Sequence, residues 1–115
     1  MNRSEWIWMP HAGHFILGDR CHFRLNTYVG NYIVSTVGEL PKINNDGRDF
    51  ENIGAGRKYE TFVFKAQKET NEAAQCCPYA MSDPSEIDGE GYNDSVSAYK
   101  GHLAMCEKWA KEGNE

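Results

Sequence analysis

The sequence predicts an α+β domain in which an antiparallel sheet of about four strands packs against one C-terminal helix. Two observations predict this class. Segments rich in β-branched and aromatic residues, separated by turn residues, occupy the first part of the chain. One segment with apolar residues at helical spacing follows them. A length of 115 residues suits a single domain, 1–115, built around one core.

The clearest local signal is a β-hairpin. The run FRLNTYV-GN-YIVSTVG places two strand-like segments on either side of Gly-Asn at 30–31, a pair that suits a type II′ or a type I′ turn. Pairing Val29 with Tyr32 sets the register and puts Thr27 opposite Val34. Both faces of this hairpin carry apolar residues, which predicts a central position in the sheet.

Two more strands and three loops complete the prediction for the first part of the chain. The strands are HFILG at 14–18 and KYETFVFKA at 58–66. Loops are predicted where Asn, Gly, Asp or unpatterned charged residues prevail, at 41–56 with a turn at 45–47, at 67–75, and at 82–94.

The helix is predicted at about 94–111, with Asn93 or Asp94 as its N-cap and Gly113 ending it. Apolar side chains recur at helical spacing along this segment. The expected buried stripe contains Val96, Tyr99, Leu103, Cys106 and Ala110, flanked by His102 and Trp109.

The cysteines and histidines raise the question of a metal site. His102 and Cys106 lie four positions apart on the predicted helix, so their side chains point the same way. Adjacent Cys76 and Cys77, in a loop that ends at a proline, supply thiolates from the facing side. Thiolate and imidazole are the ligands that zinc prefers. The candidate zinc ligands are therefore Cys76, Cys77, His102 and Cys106.

Additional ligands and two alternatives stay open. Cys21 with His22, or His14 with His11 in the H-x-x-H of PHAGH, are further candidate ligands, although His11 and His14 taken alone are expected to be ordinary loop residues. The stronger C-x-x-C signal is absent. The thiols are alternatively buried as small hydrophobes, or joined in disulfides, which require an oxidising compartment.

Catalytic and nucleic-acid functions find less support. No H-E-x-x-H pattern is present. Cys106 falls late in its helix, where the helix dipole raises a thiol pKa, so a Cys-His catalytic dyad is disfavoured. The net charge of −5 argues against binding a phosphate backbone. Trp6 and Trp8 alternate in EWIWMP and are expected to share one face as core or sheet-covering residues rather than as a base-stacking platform.

The chain has no apolar run of about 18 residues, so no membrane span is expected. Its first residues lack the continuous apolar region of a signal peptide, which favours the cytoplasm. An exposed sheet edge is compatible with a homodimer.

Several phrases together resemble small uncharacterised proteins encoded by tailed phages and prophages of bacteria. They are WIWMPHAGHFI, YIVSTVGE, YETFVFKA, CCPY, GYND and GHLAMCEKWA. The resemblance implies the cytoplasm of a bacterial host cell, where zinc or free thiols are more common than disulfides.

Three functions are compatible with the sequence. The first is an accessory protein that binds a host bacterial protein, as an inhibitor of a defence system of the anti-CRISPR or anti-restriction type, with zinc serving the fold. The second is a small zinc-dependent hydrolase or nuclease with an open metal position. The third is a nucleic-acid-binding module, in which the basic residues Arg20, Arg24, Arg57 and Lys58 gather at one sheet edge.

Overall fold

A computed structural model describes residues 2–14, 18–42, 49–54 and 56–112. Within these residues the chain forms eight strands and one α-helix. The strands are β1 (Ile7–Met9), β2 (Phe23–Val29), β3 (Tyr32–Gly38), β4 (Leu40–Pro41), β5 (Phe50–Glu51), β6 (Tyr59–Lys68), β7 (Tyr79–Met81) and β8 (Asp88–Tyr92), and the helix is α1 (Ser95–Glu112). The predicted α+β class is confirmed.

One antiparallel sheet contains six of the described strands. Its order is β1-β2-β3-β6-β7, and β8 also pairs with β6. β4 and β5 form a separate pair. α1 packs against β2, β3, β6 and β8. The sheet exceeds the four strands predicted, because β1, β7 and β8 are short or rich in glycine and pair in response to their tertiary surroundings.

β2 and β3 form the predicted hairpin. Gly30 has a φ of 67°, the left-handed conformation that a type II′ turn requires at its first central position. Glu39 is the only non-glycine residue with a positive φ among the described residues. Asn31 therefore lacks the positive φ that a type I′ turn requires at its second central position. The register agrees with the prediction at Val29↔Tyr32 and Thr27↔Val34, and it continues to Leu25↔Thr36.

Side chains alternate between the two faces of the central strands. The helix face, which packs against α1, carries Thr27, Val29, Val34, Thr36 and Val63. The far face, on the other side of the sheet, carries Asn26, Ile33, Ser35, Phe62 and Phe64. A metal site that uses residues above both faces would have to reach through the sheet.

Two segments cover the far face, residues 10–14 and residues 76–81. In the first, the backbone carbonyl of His11 accepts a hydrogen bond of 2.8 Å from Nδ2 of Asn26. In the second, the Tyr79 ring stacks on Tyr28 with a centroid distance of 3.6 Å. Segments distant in the chain therefore meet above the same face.

The helix begins as predicted. Asp94 caps it, because its Oδ1 accepts a hydrogen bond of 2.8 Å from the backbone N–H of Ser97. These hydrogen bonds to Ser97 lower the pKa of the Asp94 carboxyl. No helix within the described residues is both long and apolar enough to span a bilayer.

The buried face of α1 differs from the predicted stripe. Val96 and Tyr99, expected in the core, are 61% and 50% exposed. Gly101 explains the rotation, because a Cβ there would lie 2.2 Å from the buried Tyr92 ring. The helix thus presents its small residues to the sheet. The buried set is Ala98, His102, Met105, Cys106 and Ala110.

The segment 82–94, predicted as an acidic loop, contains the edge strand β8. A Cβ at Gly89 would lie 2.6 Å from the Phe62 ring, so the missing side chain makes room for this pairing. The predicted linker 67–75 likewise begins inside β6 and ends in a 3₁₀ turn, Glu72–Gln75.

Three expectations concern residues outside the described ranges: the middle of the strand at 14–18, the turn at 45–47, and Gly113.

The two tryptophans are not equivalent, since Trp6 is 6% exposed in the core whereas Trp8 is 46% exposed on β1.

We expect Gly101→Ala to destabilise the protein by about 1–2 kcal/mol. Alanine normally favours a helix interior by about 1 kcal/mol over glycine, but here the added methyl overlaps the Tyr92 ring. Urea denaturation measures the change. The exposed neighbour Lys100 supplies the control, because Lys100→Ala should change stability by less than about 0.5 kcal/mol. A stabilised Gly101→Ala protein would show that helix and sheet are not packed this closely.

Candidate metal centre

His102 occupies the core rather than an accessible site. Its side chain is fully buried, with Nε2 2.8 Å from Oγ1 of Thr27 and Nδ1 2.7 Å from Oγ1 of Thr36. Thr36 in turn bonds the hydroxyl of Thr61 at 2.5 Å. Both ring nitrogens are therefore satisfied by threonines of the helix face, and this network fastens α1 to the sheet.

Burial keeps His102 and Cys106 uncharged. Desolvation lowers the pKa of the His102 imidazole to about 4 and raises the pKa of the Cys106 thiol to about 12. Cys106 has no solvent exposure and packs with Val29 and Val34. Cys106 thus acts as a small hydrophobe, one of the alternatives that the sequence leaves open.

A second group forms above the far face, where His11, Cys76 and Cys77 meet. Nδ1 of His11 lies 3.4 Å from Sγ of Cys77 and 3.6 Å from Sγ of Cys76. The three ligand atoms all lie within 4.8 Å of one another. None of the four cysteines, Cys21, Cys76, Cys77 and Cys106, forms a disulfide in the structure.

These distances match a tetrahedral zinc site. With Zn–N of about 2.0–2.1 Å and Zn–S of about 2.3 Å, the edge between a nitrogen and a sulfur ligand is roughly 3.6 Å. The two N···S distances of 3.4 and 3.6 Å agree with that edge. The donor set of one imidazole and two thiolates also suits zinc. The site is compatible with zinc.

The thiols must lose their protons to bind a metal. Burial raises the pKa of Cys77, and a hydrogen bond from the His11 backbone lowers it in part. A metal at this site therefore displaces a proton from Cys77, as is usual for thiolate ligands.

The predicted ligand set is divided between the two faces of the sheet. Cys76 and Cys77 come together above the far face, but with His11 in place of the helical pair. His102 and Cys106 lie on the helix face, within the core. The sheet separates the two pairs, so the four residues do not share one site.

The additional candidates, Cys21 and His14, have other surroundings. Cys21 is 2% exposed and packs with Val37 and Leu40, and burial raises the pKa of its thiol. Nδ1 of His14 lies 2.7 Å from Oγ of Ser35.

Ser35, His14 and Glu60 resemble a hydrolytic triad in composition. Nε2 of His14 lies 3.4 Å from Oε1 of Glu60, which places the histidine between serine and carboxylate. Ser35 is nevertheless fully buried in mid-strand, and a Cβ at Gly13 would lie 2.8 Å from its Cβ. A substrate cannot reach this hydroxyl, so the three residues anchor segment 10–14 to the sheet.

The sequence contains one signal for the third ligand. The H-x-x-H of PHAGH marks both His11 and His14 but does not say which of them approaches a thiol. The structure shows that His11 does so and that His14 turns toward Ser35.

No family model, no curated protein and no solved structure matches this chain. The geometry of the molecule is therefore the basis for the function proposed below.

We expect protonation of His102 to weaken the fold at mildly acidic pH. Its folded pKa of about 4 lies below the ordinary 6.5, so the unfolded chain binds more protons between these values. Stability is then fully present above pH 6.5 and falls as the pH drops toward 4, by roughly 3 kcal/mol.

The variant His102→Gln isolates this contribution, since its amide can still bond the two threonine hydroxyls but does not titrate. Urea denaturation of both proteins from pH 7 to pH 4 should show the stability difference between them shrinking by roughly 3 kcal/mol. A difference that stays constant with pH would contradict the role given to His102.

Proposed function

We propose that this protein is a metal-stabilised binding module that acts by docking onto another protein. The observation that carries the proposal is an exposed apolar surface beside the first half of α1. We call it the α1 surface, and its residues are Trp8, Val96 and Tyr99, which are 46%, 61% and 50% exposed.

The three residues of the α1 surface lie on α1 or beside it. Val96 and Tyr99 are three positions apart on α1 and share one side of it. Trp8 pairs with Thr27 on the helix face, and its ring centroid lies 5.4 Å from that of His102, one helical turn beyond Tyr99. Exposed aromatic residues that cluster in this way are typical of binding hot spots.

The resemblance to phage-encoded proteins suggests the class of partner. We propose a protein of the bacterial host, such as a component of a CRISPR or restriction defence system, which the module would occupy and block in the host cytoplasm. The net charge of −5 supports a protein partner over a nucleic acid.

The metal in this proposal is zinc, held by His11, Cys76 and Cys77, and its role is to stabilise the fold. It would tie segment 10–14 to segment 76–81 above the far face. The zinc would link His11 to Cys76, which lie 65 positions apart in the chain. A cross-link of that span stabilises a fold by roughly 4 kcal/mol through restriction of the unfolded chain.

One observation favours a second candidate, a zinc-dependent hydrolase. Three protein ligands with a remaining open position are characteristic of catalytic zinc. Within the described residues no carboxylate joins the ligand group, and the nearby histidine of the cavity, His14, is engaged with Ser35 and Glu60. The binding module is the better supported function.

The α1 surface can be tested by affinity capture from bacterial lysate followed by titration with the identified, purified partner. We expect Tyr99→Ser to weaken binding at least tenfold, about 1.4 kcal/mol, because a hot-spot aromatic is lost.

Ile87 supplies the control for this experiment. It is 39% exposed and lies beside β8, at the edge of the sheet away from β1, so Ile87→Ser should bind as the wild type does. Equal affinities for all three proteins would refute the α1 surface. Capture of the protein's own second copy would replace the host partner with a homodimer.

Zinc should raise the melting temperature of metal-free protein. At free zinc of a hundred times the dissociation constant, the stabilisation is about 2.7 kcal/mol, which corresponds to roughly 10 °C for a chain of this size. Calorimetry with and without a chelator measures the shift, and elemental analysis counts the metal. His11→Ala and Cys77→Ser should each abolish the rise in melting temperature that zinc causes.

Two variants serve as matched controls for the metal site. His22→Ala removes an exposed imidazole, and Cys106→Ala removes a thiol from the helix face; both should still bind one zinc. If only Cys106→Ala lost its zinc, the metal ligands would instead be the helical pair His102 and Cys106.

A further inference from the structure

The metal site borders a cavity on the far face. This cavity has a volume of about 220 Å³, and its lining includes the ligands His11 and Cys77. Ile33, Tyr79 and Met81 give the lining an apolar character, while Asn26 adds a polar group. Two of the three metal ligands therefore face a space large enough for a small molecule.

The described ligands fill three of the four positions that zinc normally uses. The nearest further imidazole in the cavity lining is that of His14, which is turned toward Ser35 at 2.7 Å and Glu60 at 3.4 Å. Within the described part of the chain, no fourth histidine, cysteine or carboxylate belongs to the group. With respect to the described residues, a metal held here would retain a position for an external ligand.

Asn26 provides a second, independent observation. The residue is only 6% exposed, and Nδ2 donates to the His11 carbonyl at 2.8 Å. Its Oδ1 is buried with no hydrogen-bond partner. A buried acceptor without a partner costs about 1–3 kcal/mol, so a donor group placed in the cavity would be favourable.

We propose that the cavity binds a small thiol, which releases its proton to solvent so that its sulfur takes the fourth position on the metal as a thiolate, and whose polar end donates a hydrogen bond to Oδ1 of Asn26. A metal already held by two thiolates and an imidazole favours a soft donor such as sulfur, and the apolar lining accommodates the carbon atoms of the ligand. This inference rests on the metal site proposed above and specifies the ligand class that the site would take.

Cobalt makes the fourth position visible. Co²⁺ replaces zinc in tetrahedral thiolate sites, and its absorption spectrum responds to each change of ligand. The full-length protein, loaded with Co²⁺ without oxygen, is titrated with 2-mercaptoethanol, which carries a thiol and a hydroxyl donor. We expect a saturable change in the cobalt d–d bands and stronger thiolate-to-cobalt absorption.

The variant Ala80→Leu tests the cavity. Ala80 contributes to the lining without being a metal ligand, and the larger side chain should fill the space. We expect this variant to bind Co²⁺ with the wild-type spectrum and 2-mercaptoethanol at least tenfold more weakly. Ethanethiol, which lacks the hydroxyl, should bind the wild type several-fold more weakly than 2-mercaptoethanol does.

The outcomes separate this inference from the metal site itself. If 2-mercaptoethanol does not change the cobalt spectrum of the wild type, the fourth position is closed. This result overturns the inference but leaves the metal site in place. Thiol binding that Ala80→Leu leaves unchanged overturns the place of the thiol in the cavity. Release of cobalt by the thiol, seen after desalting, also overturns it. Failure of the wild type to bind Co²⁺ or zinc overturns both.

Discussion

The register of the β2–β3 hairpin is the constraint on which the rest of the structure depends. The turn at Gly30 pairs Val29 with Tyr32, and every pairing that follows assigns a side chain to one face or the other. Thr27 thereby meets the helix, while its neighbour Asn26 meets His11 on the far face. A slip of one residue would exchange the side chains of the two faces. It would remove the threonine partners of His102 and the contact of Asn26 with the candidate metal site.

Much of the fold could be predicted because its strongest signals are local. The hairpin needs only a Gly-Asn turn between two β-branched runs, and the helix needs only its spacing and its cap at Asp94. The local sequence of the helix does not determine which of its sides packs against the sheet. Val96 and Tyr99 have the same periodicity as the residues that are buried, and the contact of Gly101 with Tyr92 decides between the two sides. That contact joins helix to edge strand, and β8 itself carries no strand pattern.

The candidate metal site could be predicted only in part, for a similar reason. A histidine and a cysteine four positions apart on a helix look the same whether they bind a metal or bond to core threonines, and burial alone distinguishes the two. Cys76 and Cys77 lie in one candidate ligand group, together with His11. Their approach to His11 spans 65 residues and depends on the two segments that cover the far face, so no spacing in the sequence encodes it.

The candidate metal site and the α1 surface lie on opposite faces of one sheet, which limits how they can influence each other. The two share no residue, and the central strands between them are paired along their length. A ligand changes affinity at a distant site only if it binds two states of the protein differently, and the alternative state available here is the unfolded or partly opened chain. Zinc would therefore leave partner affinity unchanged while the fold is several kcal/mol stable. It would raise apparent affinity only where the metal-free protein is close to its unfolding midpoint, because there the fraction able to bind becomes limiting.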